Sequence, residues 1–148
     1  MNWTAITADH VKAAGHGAIV DRARTMAVGS IDPVVQALAG ATARVRRAVS
    51  TGNTLDADPT KVPASLESVT IRLVLWDLME RIGLPMSDDQ KETRRDDISD
   101  LKRITDNRTR VETPDTPAAN AEMQSPGPTI VSVNMPCRQT GGHRTSGL

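Results

Sequence analysis

The chain has 148 residues, with 18 Lys and Arg against 18 Asp and Glu, so it lacks the strong basic balance of a dedicated nucleic-acid binder. It has no Phe or Tyr and only Trp3 and Trp76, which argues against the stacking platforms of single-strand binders and most aromatic-lined ligand pockets. Charge is uneven along the chain: residues 1–55 carry six cations and three anions, and residues 56–112 carry ten and thirteen. Leu, Ile and Val make up about a fifth of the chain, near the lower limit for an independent globule. The core is therefore expected to be small, with some apolar surface completed by neighbouring subunits. Cys137 is the single cysteine, so no internal disulfide framework is possible. No run approaches the roughly 18 apolar residues of a membrane span. MNWTAITADH lacks the charged-then-apolar order of a signal peptide, so the expected origin is cytosolic.

In chain order, Thr7 is placed to cap a short helix ending near His16, because its hydroxyl can accept from the first free backbone amides. A second short helix over residues 18–27 puts Ile19, Val20, Ala23 and Met26 on one side, with Gly15, Gly17 and Gly29 as breaks. Asp32 before Pro33 is a cap-then-proline start. Val34, Leu38, Ala41, Val45, Ala48 and Val49 then recur at helical spacing until Gly52-Asn53. The loop LDADPTKVP has turn-forming aspartates and two prolines that give it a fixed irregular shape.

Residues 64–82 read as the central helix. Ile71, Leu75, Leu78, Met79 and Ile82 form one apolar arc, and Leu66, Val69, Leu73 and Trp76 form a second. Glu67, Thr70, Asp77 and Arg81 are left as a narrow solvent stripe. A helix apolar on most sides is buried on most sides, and few other apolar residues remain to cover both arcs. Leu66, Val69, Leu73 and Trp76 are thus expected to face a neighbouring subunit. Gly83 and Pro85 end this helix. Ser87 with Gln90 forms a capping box for a last, peripheral helix to about residue 107, whose apolar stripe is Ile98, Leu101 and Ile104.

The organisation expected is all-α: short helices over 1–30, a helical core over 31–107, a Pro-rich linker over 108–128 and an arm over 129–148. TPDTPAANAEMQSPGP has no apolar periodicity with which to pack a core. If extended, residues 112–129 span about 55 Å. The run TIVSVNM beyond it has strand chemistry but no partner strand nearby in sequence. Ile130, Val131, Val133 and Met135 are the expected anchors of an arm that adds a strand to a partner's sheet; the alternative is a disordered tail.

Signals for chemistry are weak. His10 and His16 lie six apart, which is not the spacing that places two ligands on one helix face; local capping is the expected role. Asp56, Asp58, Thr60 and Glu67 fall at calcium-loop positions, but Lys61 replaces the turn glycine and Pro59 and Pro63 stiffen the loop. Cys137 beside Arg138 lacks a histidine-based setting for catalysis. No enzyme activity and no cofactor or metal are expected. Arg44, Arg46 and Arg47 are expected on a solvated face, or on a channel wall touching DNA phosphates without sequence preference.

ATARVRRAVS, then GNTLDADPTKVPASL, an apolar helix and SDDQKETRRDDISDLKRI resemble the head–tail connector (adaptor, or head-completion) proteins of tailed phages. The resemblance covers about residues 30–106, and RTSGL at the end is a further echo. It implies a helical bundle that assembles as a ring, usually twelve-fold, beneath the portal in the virion after synthesis in the host cytoplasm. Such a ring extends the DNA channel and is a platform for stopper or tail proteins. It also implies a C-terminal arm reaching a neighbour or the portal, here with Arg138, Arg144 and Leu148 beside the four apolar anchors. The other functional expectation is a small helix-turn-helix-like DNA-binding regulator, using the first two helices with Arg22 and Arg24.

Overall fold

The computed structural model describes residues 2–118. The elements are β1 (Trp3–Ala5), α1 (Ala8–Val11), a π-helical turn (Lys12–His16), α2 (Gly17–Thr25), α3 (Pro33–Ser50), β2 (Lys61–Pro63), a 3₁₀ turn (Ala64–Leu66), α4 (Glu67–Arg81) and α5 (Asp88–Thr105). The described residues are mostly helical, as expected. The strand pair was not: β1 lies antiparallel to β2, with Trp3 opposite Pro63, Thr4 opposite Val62 and Ala5 opposite Lys61. The expected arm residues Ile130, Val131, Val133, Met135, Arg138, Arg144 and Leu148, and Cys137, lie outside the described residues.

Helix limits follow local chemistry. Asp32 accepts from the Val34 amide at 2.9 Å to start α3, and Pro33 occupies the first turn, where a missing N–H costs nothing. At the start of α5 the Ser87 hydroxyl accepts from the Gln90 amide and the Gln90 side chain accepts from the Ser87 amide. Helices α4 and α5 both end in a Schellman motif. Gly83, at φ 68, allows the Gly83 amide to reach Glu80 O and the Leu84 amide to reach Met79 O. Asn107, at φ 57, repeats the two bonds to Ile104 O and Arg103 O. A left-handed residue just past the helix lets two orphan carbonyls find donors.

The core sits around α4, which packs against α1, α2, α3 and α5. Both predicted arcs are buried by the chain itself, Leu66, Val69, Leu73 and Trp76 as completely as Leu75, Leu78 and Met79. The expectation that a neighbour covers the second arc is therefore corrected. The missing cover comes from the N-terminal segment: Trp3, Ile6, Val11, Val20 and Ala23 join the same core, so residues 1–30 are not a separate appendage. Thr70, expected in solvent, is fully buried. Its hydroxyl donates to Leu66 O at 2.8 Å and so carries no unsatisfied polar atom inward.

The segment after α5 differs from a free linker over its first residues. The Ala57 amide donates to Thr116 O and the Ala118 amide to Leu55 O, Trp3 Nε1 donates to Glu112 O at 2.9 Å, and Ser65 donates to the Glu112 carboxylate at 2.7 Å. Residues 112–118 thus form a strap along the β1–β2 end of the molecule. A span of free linker counted from residue 112 starts too early.

Candidate interaction surface

Among the described residues, most of the exposed large apolar side chains lie in one stretch of the fold. Met26, Val28, Ile31 and Val35 are four of the five exposed large hydrophobic side chains among the described residues, Ile98 being the fifth. Val28 is fully exposed and Ile31 is 62% exposed. The loop between α2 and α3 turns at Gly29 (φ 119), and Met26, Val28 and Ile31 border an open hollow with Gln36 and Arg81. Contiguous exposed apolar patches on a soluble domain mark contact sites.

Val35 also begins a groove of about 540 Å³ along the outer side of α3. It is lined by Ile6, Leu38, Ala39, Thr42 and Ala43, with Arg46, Pro59 and Thr60. Residues 35, 39 and 43 lie four apart, as do 38, 42 and 46, so two i,i+4 rows of α3 run along the groove. Leu38, expected in the core, is only partly buried and lines this groove.

The loop beside the groove is held by Arg46. Its Nη1 donates to Asp58 O and Lys61 O, both at 2.8 Å, and its Nη2 donates to Asp56 O at 2.7 Å. The guanidinium carbon also lies 5.7 Å from the centre of the Trp3 ring, within cation–π range. One planar cation thus satisfies two carbonyls of the loop and that of Lys61 at the start of β2. The loop aspartates complete the job. Asp56 is fully buried; it accepts from the Asp58 amide at 2.9 Å and from the Thr116 hydroxyl at 3.2 Å. Burial acts to raise its pKa, but these hydrogen bonds and the charge of Lys61 outweigh it and hold the carboxyl below the ordinary value. Asp58 is likewise lowered, chiefly by the Thr60 hydroxyl and then by the Thr60 amide. These carboxylates are occupied by turn donors. Among the described residues no group of three His, Cys, Asp or Glu is placed to hold a metal ion.

The three predicted arginines do not share a face. Arg46 is turned onto the loop, so its place on a channel wall is corrected: its donors are taken by carbonyls. Arg44 and Arg47 are exposed, with Arg44 bordering a shallow hollow shared with Trp76, Asp77, Glu80 and Arg94. On α2, Arg24 pairs with Asp32 at 2.9 Å and Arg22 is exposed. Asp32 is held below its usual pKa, first by the Val34 amide and then, against some desolvation, by Arg24. His10 Nδ1 accepts from the Thr7 amide at 3.2 Å, a local capping contact.

Sequence reasoning missed one polar contact in the body. Arg72 on α4 makes a two-pronged pair with Asp97 on α5, Nε to Oδ2 at 2.7 Å and Nη2 to Oδ1 at 2.6 Å. Asp97 is 3% exposed, and its hydrogen bonds push the Arg72 pKa up, with burial opposing. Asp97 lies four residues before Leu101 and seven before Ile104, on the buried face of α5, where Ile98, expected on the apolar stripe, is exposed; its partner, 25 residues away, is brought to it only by the fold. Compared with family models, curated proteins and solved structures, the chain matches none of them. No described helix is long and apolar enough to cross a membrane.

Proposed function

We propose that this chain is a structural subunit of a tailed-phage head–tail junction, working by contact surfaces and not by catalysis. The observation that carries this reading is the apolar strip of Met26, Val28, Ile31 and Val35 on an otherwise well-packed helical body, joined to the resemblance of residues 30–106 to connector proteins. A strip of this kind is a cost in solution unless an assembly covers it. In a ring of such subunits the strip lies between neighbours or against the portal, and the arm over 129–148 clasps a portal, stopper or tail protein. Arg44 and Arg47, the two of the three arginines free of loop carbonyls, are the ones assigned to the lumen, where they would meet DNA phosphates without reading sequence.

The test is peptide mass spectrometry with absolute quantification on purified parent particles. Copies of this chain in a fixed ratio to the portal are expected. Its absence from particles sinks the reading. Binding of the free chain to duplex DNA at low salt, with a steep salt slope, would favour the regulator instead.

A further inference from the structure

Among the described residues nothing covers the groove on α3, and its lining is more apolar than a solvated helix face should be. Three occupants suit that chemistry: a second copy of the body, an unrelated apolar helix, or an apolar segment of the same chain. The described chain ends at Ala118, whose amide is bonded to Leu55 O at 2.9 Å. Leu55 is four residues from Pro59 in the groove lining, a reach of at most about 14 Å. Eleven residues, 119–129, separate Ala118 from Ile130, enough to span about 35 Å when extended. The apolar run beginning at Ile130 is therefore tethered within reach of the groove. Linkage through the same chain makes the encounter intramolecular, which favours this segment over a separate molecule in dilute solution.

We infer that the groove formed by Val35, Leu38, Ala39, Thr42 and Ala43 of α3, with Pro59 and Thr60, holds the apolar segment 130–135 of the same chain before assembly. Extended backbone places alternate side chains about 6.8 Å apart, so Val131, Val133 and Met135 fall on one side of the segment. The i,i+4 rows of α3 repeat every 6 Å or so. Three anchors spaced this way match Val35, Ala39 and Ala43 in length. Ala39 and Ala43 leave the depth that bulky Val and Met side chains fill. Docking hides both apolar surfaces in the free protein and exchanges them together on assembly. The inference concerns the free chain alone and does not rest on the connector reading.

Cys137, the only thiol, lies two residues past Met135 and takes a nitroxide without mutation. The experiment measures paramagnetic broadening in the full chain, on the methyl signals of Val35, Leu38, Ala39 and Ala43, with Ile98 on α5 as reference. Several-fold stronger broadening at the groove than at Ile98, independent of protein concentration, is expected. Ala43→Glu, at an exposed position, should abolish it at Val35 and Leu38 without changing the melting temperature, and Val133→Asp should do the same from the other side. Uniform or absent broadening, or broadening that survives both variants, overturns the inference. So does broadening seen only when spin-labelled and isotope-labelled molecules are mixed, since the occupant is then a second copy's tail. Particle quantification is untouched by any of these outcomes, so the two readings fail separately.

Discussion

Helix α4 and the stretch from Met26 to Val35 are both richer in apolar residues than a solvated surface, yet they end in opposite environments. Helix α4 is enclosed on most sides by α1, α2, α3 and α5. The 26–35 stretch keeps four large apolar side chains in water. From composition alone, α4 is where a neighbour would be expected to dock, and it is the chain's own core. The 26–35 stretch reads in the sequence as the end of one helix, a break at Gly29 and the Asp32-Pro33 start of the next, and it carries most of the apolar surface left over. Apolar content alone does not say which surface is unpartnered; that depends on which segments return to cover it.

The comparison breaks if α4 is loosely held. Leu78→Ala removes a side chain with no exposed surface, and a loss of about 3 kcal/mol is expected in urea unfolding. A loss below about 1 kcal/mol would mean that α4 is not packed as described, since such sites rarely collapse fully around a deletion. Next in size is Asp97→Ala. It leaves the Arg72 guanidinium without its partner beside α5, at about 2 kcal/mol. The figure lies below that of a fully buried pair because Arg72 keeps about a third of its side chain in solvent. Asp97→Asn should recover part of that loss.

The irregular end of the molecule gives smaller effects of a different kind. Arg46→Met retains the stem but removes the donors to three carbonyls, and about 1–2 kcal/mol is expected, water replacing part of what is lost. Acidification tests the same loop through Asp56 and Asp58, together with the α3 cap at Asp32. Asp32, Asp56 and Asp58 all sit below their ordinary values in the folded chain. A depressed carboxylate contributes fully above its unfolded pKa and loses that contribution as pH falls through the folded one. The melting temperature should therefore fall below about pH 4, and more shallowly in Asp56→Asn, which is already weakened at neutral pH. A fall of equal steepness in the variant would show that Asp56 does not report on folding. Smallest of all, Val28→Ser should change stability by no more than about 0.5 kcal/mol. In the proposed assembly the same change should weaken particle incorporation, which separates a contact residue from a packing residue.

Much of the helical plan is legible residue by residue, because caps and stops are local chemistry. Asp32-Pro33, Ser87 with Gln90, and Gly83 each act through bonds within one turn of themselves. The i,i+4 pair of Asp77 and Arg81, present at 3.1 Å, belongs to the same class. The strand pair is not legible, since Trp3–Ala5 and Lys61–Pro63 are three residues each and carry too little alternation to stand out. The groove is harder still. Leu38 has the periodicity of a core residue, and only the tertiary arrangement around α3 leaves it lining the groove.

The sequence by itself determined the starts of α3 and α5, the stop of α4 at Gly83 and which helix is apolar on most sides, because those properties depend on neighbours within a few residues. Only the tertiary structure decided that Trp3 and Val20 close over α4, that Arg46 faces loop carbonyls, and that most of the uncovered apolar surface lies on the α2–α3 loop and the start of α3. Each of these is a contact between segments distant in the chain, and local propensity carries no information about which distant segment arrives.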